Sequence, residues 1–161
     1  MDTQSFNRDQ IAGCLISAMQ ETFVGTSGDD GAFLRKEDPG LLPIMRLLTA
    51  REASLPVAGA SIVAHVRHVI SCLDSFLADM EGVAPHSEEW KDSFHESPVD
   101  EDEWLILQDK LESRMKAFSR AASTHSLNGE SNLWAALGAF AHNAYHLGAI
   151  QVKLEQMRKQ S

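Results

Sequence analysis

No stretch of this chain alternates apolar and polar residues over the length of a strand, whereas four long stretches repeat apolar residues every three or four positions. That period belongs to helices with one buried face, and it restricts the chain to helix-on-helix packing. The first stretch runs from Phe6 to Val24, with Ile11, Cys14, Leu15, Ala18, Met19 and Phe23 on the apolar side. Gly25 to Gly31 breaks it with three glycines. A shorter helical segment is expected over Leu41–Ala53, turning Leu42, Met45, Leu48 and Leu47 inward. Ser61 to Met80 is the second long helix, with a stripe of Ile62, Val66, Val69, Leu73, Phe76 and Met80.

His86 to Pro98 reads as a polar and aromatic connection. The third helix follows from Asp100 to Ala122, opened by Asp100 and Glu103 as an acidic form of the capping box. Trp104, Leu107, Leu111, Met115 and Phe118 face inward. The fourth runs from Leu133 to Met157. The expected fold is therefore all-α: a four-helix bundle with one short extra segment between helices 1 and 2. At 161 residues it forms a single domain, 1–161. Periodicity fixes neither the handedness nor the spatial order of the helices.

Composition narrows the possible partners. The net charge is −9, from 23 acidic and 14 basic residues, and no basic cluster stands out, so nucleic acid is not an expected partner. The cations of Lys153–Lys159 fall at a helix end, where they complement the dipole. Two cysteines, Cys14 and Cys72, do not make a disulfide framework. With no basic-then-apolar start in MDTQSFNRDQ and no membrane-length apolar run, a cytoplasmic location and no membrane partner are expected.

Chemistry concentrates in two helices. In HNAYHLGAIQ, His142 and His146 stand four apart. Residues so spaced differ by about 40° around a helix and about 6 Å along it, so both imidazoles point one way. They can share a divalent cation, or they can simply occupy the helix surface. The pattern is not that of a zincin, since no Glu follows His142. The second helix offers AHVRH, in which His65 leans toward the apolar stripe and His68 toward Ser61, Ala64, Cys72 and Ser75. A third ligand from this helix would complete a facial set.

SIVAHVRHVISCLDSF and HNAYHLGAIQ, with EEWKDSF and VDEDEWLILQDKL between them, resemble the helix signatures of the DinB-like (damage-inducible protein) superfamily. The resemblance spans the chain from about Leu41 onward. It implies a four-helix bundle and a divalent metal held by three histidines, one from the second helix and two from the last. Matched by motif, these are His68, His142 and His146, with His65 either an alternative ligand or a partner behind one. Three imidazoles suit zinc, nickel, iron and copper, and zinc or nickel is the expected ion. The resemblance also implies a homodimer. Related bundles include thiol-dependent transferases and a mycothiol-dependent isomerase, so a low-molecular-weight thiol is a candidate second cofactor.

Other residues carry two readings each. Cys72 is a soft ligand or redox thiol, or else a small buried apolar residue; Cys14 takes the second reading. Tyr145 reaches the site as a donor or acid, or packs between helices. Gln151 orients a bound group or is exposed. Trp90, Trp104 and Trp134 are expected in the core or a dimer interface. Glu88, Glu89 and Asp92 are expected to be solvated rather than to donate a carboxylate, and His86, His95 and His125 to be exposed. The functional expectation is a DinB-like metal-binding bundle of undetermined activity. One alternative is a metal-dependent enzyme on a small molecule, with a thiol S-transferase or isomerase as its sharpest form and a hydrolase also possible. Another is a non-catalytic dimeric stress-related binding module in which the ion pins helices together. A site sealed by a fourth protein ligand, His65 or Cys72, would favour the latter.

Overall fold

A computed structural model describes residues 7–83, 93–124 and 129–160. Among these residues there are six helices and no strand: α1 (Arg8–Val24), α2 (Leu41–Leu47), α3 (Ala50–Ala53), α4 (Ile62–Glu81), α5 (Glu101–Thr124) and α6 (Glu130–Gln160). The four long helices make the bundle: α4 packs against α5 and α6, and α1 packs against the same two.

Local chemistry sets the helix ends. Asn7 and Gln10 form a reciprocal capping box at the start of α1. Gly25 closes that helix at φ 97°, a left-handed conformation that favours glycine. Ser61 caps α4 through the Ala64 N–H, and Gly82 ends it at φ 72°. Asp100 and Glu103 close the acidic box read from sequence, with the Glu103 N–H donating to Asp100 at 2.8 Å and the Asp100 N–H to Glu103 at 3.1 Å. The single segment expected over Leu41–Ala53 is instead two helices. Leu48 turns extended, and Thr49 starts α3 with its own capping box to Glu52. A second start signal inside an apolar run overrode the period.

The core is continuous through the bundle. Phe23, Met19, Leu73, Trp104, Leu111, Phe118, Leu147 and Ile150 are all fully buried. The Trp104 indole N–H donates to the Leu48 carbonyl at 3.0 Å, which ties α5 to the break between α2 and α3. Several apolar assignments fail, and Ile11, placed on the apolar side of α1, is exposed. Leu47 is exposed. Cys14 is exposed as well, on the outer side of α1. Tyr145, expected between helices or in the site, stands on the surface. Trp134 is likewise exposed, while Trp90 lies outside the described residues.

Glu21 organises the loop after α1. Its carboxylate accepts the Ala32, Phe33 and Leu34 N–H groups at 2.9, 2.9 and 2.6 Å. A side chain at Gly31 would overlap that carboxylate and displace it from the three amides. Burial alone would push the carboxyl up, but the three amides outweigh it and hold it below the ordinary carboxylate range. Glu21→Leu is expected to cost about 3 kcal/mol near neutral pH, because charge-assisted bonds are lost and three amides are left unpaired. The depressed pKa means that this stability is in force above the ordinary carboxyl value of 4.5 and is lost as pH falls through the folded value. Urea unfolding should therefore separate the two proteins at pH 7 and bring them together in strong acid. An equal gap at both pH values would count against the charged cap.

Candidate metal centre

Two helices in contact bring four histidines to one place. α4 supplies His65 and His68, three apart on one broad face. α6 supplies His142 and His146, one turn apart. Small residues make room around them: Ala139 is buried on the same side of α6, and Gly138 leaves space for Phe76 of α4, which a side chain there would crowd at 3.1 Å.

Three of the imidazoles converge through the same ring atom. His142 Nε2 lies 3.2 Å from His68 Nε2 and 3.1 Å from His146 Nε2. Two imidazole nitrogens on one ion, with bonds of about 2.0–2.1 Å, stand about 2.9–3.4 Å apart over the usual range of coordination angles. The observed separations fall inside that window. His68, His142 and His146 are the set whose donor atoms all lie within 4.8 Å of one another among the described residues. The three side chains could thus hold a metal ion.

Burial prepares them for it. Desolvation lowers the His142 pKa to about 4, helped by the nearby His68. It lowers His146 to about 3, with His142, His65 and His68 adding to the effect. His68 is lowered too, by burial. All three are therefore neutral near pH 7 and keep a lone pair for a cation.

The other ring nitrogens decide orientation. His146 Nδ1 lies 2.8 Å from His65 Nδ1, and both side chains are buried. For His146 Nε2 to present a lone pair, its Nδ1 must carry the proton and donate it to His65. His68 Nδ1 lies 2.8 Å from Ser93 Oγ and can donate to it in the same way. His142 Nδ1 is buried and finds no hydrogen-bond partner among the described residues. His65 thus sits behind a member of the convergent set. Burial lowers its pKa to about 4, with Lys153 adding to the shift and Glu96 opposing it.

Cys72 is buried, as a small apolar residue would be, yet its sulfur lies 3.6 Å from His68 Nε2 and 3.5 Å from His142 Nε2. It flanks two of the histidines and falls outside the mutually close set. Phe94 covers the cluster, with its ring centroid 5.0 Å from those of both His65 and His68 and 6.1 Å from that of His146. Its segment is fastened to α4. Arg67 donates to the Ser97 carbonyl at 2.5 Å, and the Glu96 carboxylate accepts the Ser61 N–H at 3.0 Å. One phenylalanine in a polar connection was the only sign of this cover in the sequence.

Lys153 was read as one of the helix-end cations that complement the dipole. It is instead buried and donates to the Val57 and Ala58 carbonyls at 2.7 and 3.1 Å, which holds the loop before α4 against α6. Gln151 is not exposed either; its amide donates to the Pro39 carbonyl at 3.1 Å. Tyr145 sets its ring edge to His146 at 5.2 Å between centroids but stays outside the cluster. His95 is exposed, while His86, His125, Glu88, Glu89 and Asp92 lie outside the described residues. No helix of the described residues is long and apolar enough to cross a membrane.

No family model matches the chain, and no curated protein or solved structure matches it either.

Proposed function

We propose that this chain is a DinB-like helical bundle that binds one divalent cation, zinc or nickel, through His68, His142 and His146. The observation that carries the reading is the convergence of three Nε2 atoms, 3.1 and 3.2 Å apart, from two different helices. When bound, such a cation supplies Lewis acidity, lowering the pKa of a water or low-molecular-weight thiol brought to it. The chain's own residues do the rest. His65 fixes the tautomer of His146, Ser93 orients His68, and Phe94 limits access of bulk water. A donor set of three, with Cys72 outside it, favours a centre open to a small ligand over a sealed structural pin. The thiol S-transferase or isomerase is the enzymatic form of this reading, and no residue of the chain is assigned as its base.

The test is elemental analysis of protein purified without a metal-binding tag. Near-stoichiometric zinc or nickel supports the proposal. Protein that stays metal-free after incubation with either ion overturns it. Acid should release the ion, because protonated imidazole cannot ligate. In the metal-free protein the sign is the same for stability. An unfolded histidine takes up its proton near 6.5, but folded His142 and His146 do so only near 4 and 3. Stability is therefore unaffected above pH 6.5 and falls as pH drops through that window. An ion retained well below pH 3 would point to other ligands.

A further inference from the structure

A cleft of about 270 Å³ opens between α4, α5 and the segment that carries Phe94. None of the four clustered histidines lines it. Ser93 and His95 do, whereas Phe94, between them in sequence, turns to the histidines instead. The cleft is thus a second space, distinct from the metal centre. Drug-sized ligands occupy pockets of about 300–1,000 Å³, so this one suits a smaller molecule.

We propose that this cleft binds a small carboxylic acid, with its carboxylate held by Arg67 and Lys110 and a short apolar body laid against Ile70 and Leu107. The first support is charge. The chain holds 23 acidic residues against 14 basic ones, so carboxylates are in excess. Arg67 of α4 and Lys110 of α5 both line the cleft, yet neither makes an ion pair among the described residues. Asp74, a carboxylate in the same lining, is paired with Arg114. The cleft therefore carries a positive excess, which its concave walls focus.

The second support is preorganisation. One end of the Arg67 guanidinium is fixed, with Nη1 donating to the Ser97 and His95 carbonyls at 2.5 and 3.5 Å. Carbonyls orient the group without neutralising it. Its Nε–Nη2 edge has no hydrogen-bond partner among the described residues, and such an edge matches the two oxygens of a carboxylate. The third is the wall itself. Ile70 and Leu107 are apolar, and Ile70 is buried. An inorganic anion would leave that wall unused, whereas an acid with a short carbon chain covers it.

The site stands without the metal centre; only its influence there rests on the metal-binding reading. Ser93 lines the cleft, and its Oγ lies 2.8 Å from His68 Nδ1. An acid in the cleft therefore reaches the residue that orients His68. Negative charge on that side favours a cation at Nε2, and the two ligands then strengthen one another.

Titration of the ¹⁵N-labelled, metal-free full chain with butyrate, followed by NMR, tests this. Amide signals of α4 and α5 around the cleft should shift saturably, and the His68 ring nitrogens should move with the same Kd. Butyramide, similar in shape but uncharged, should bind at least about tenfold more weakly. Lys110→Gln and Arg67→Gln should each weaken butyrate about tenfold while keeping the helical circular dichroism. Lys110→Gln is the cleaner variant, since Lys110 is exposed and Arg67 also fastens Ser97. Absence of saturable shifts overturns the proposal. So does inorganic phosphate binding as tightly as butyrate, which would leave only a diffuse basic patch. Undiminished binding in both variants would place the acid elsewhere and overturn it too. Cleft signals that saturate while the His68 ring stays still would overturn the link to the metal centre. Because the protein is metal-free and metal content is read separately, failure of this site and failure of the metal centre remain distinguishable.

Discussion

His142→Ala or His146→Ala is expected to take bound zinc or nickel from near one ion per chain to a small fraction of that. Each variant removes one of three converging nitrogens from the same helix face. Losing only the partner behind a ligand typically costs roughly 10–100-fold in affinity, so losing a ligand should exceed a hundredfold. Competition with a coloured chelator measures this directly. Thermal unfolding gives a second readout. At a hundredfold excess of metal over Kd, wild type gains about 2.7 kcal/mol, and the variants should gain almost nothing. The ion would bridge α4 and α6, so this stabilisation reports the link between the two helices. His95→Ala, at an exposed position, is the control and should behave as wild type. Full metal stoichiometry in either variant would remove His142 and His146 as paired ligands.

Helical periodicity carried the fold because it is a property of neighbours in sequence. The stripe from Ile62 to Met80 and the buried series Trp104, Leu111, Met115 and Phe118 lie where their spacing puts them. The pair His142 and His146 was legible for the same reason, since four residues on a helix mean one turn. What failed depends on contacts distant in the chain. Lys153 is buried because the loop carbonyls of Val57 and Ala58 meet it, and no local pattern shows that. The role of Phe94 arises from a segment folded back over α4. Cys14 and Tyr145 were misplaced because α1 and α6 carry apolar residues on more than one face, so the period does not say which side is covered. Choosing between His65 and His68 also needed space rather than spacing. Both can reach α6, and only the ring-nitrogen distances separate a member of the convergent set from the residue behind it.

That distinction yields the remaining prediction. His65→Leu is expected to weaken metal binding roughly 10–100-fold without abolishing it, whereas His65→Asn should stay within a few-fold of wild type. The argument is proton bookkeeping. His146 can offer Nε2 to a cation only if its Nδ1 holds the proton, and the acceptor for that proton is His65 Nδ1 at 2.8 Å. Leucine fills the buried space but accepts nothing, so the Nδ1–H of His146 is left unpaired in a dry site, and the tautomer that ligates loses its support. The asparagine side-chain oxygen falls near the place of Nδ1 and can accept the same proton. A purely structural role would not separate these variants in this order, since leucine packs at least as well as asparagine in an apolar surround. Acid sensitivity supplies an independent check on metal-free protein. His65 is held at about 4 by burial, with Lys153 contributing, so keeping it neutral opposes folding once pH falls below 6.5. His65→Leu removes that group and should lose less stability than wild type between pH 6.5 and 4. Equal metal affinity in the leucine and wild-type proteins would mean that His146 needs no acceptor behind it. Loss as complete as in His146→Ala would instead make His65 a ligand, and the centre would then be built from both histidines of AHVRH.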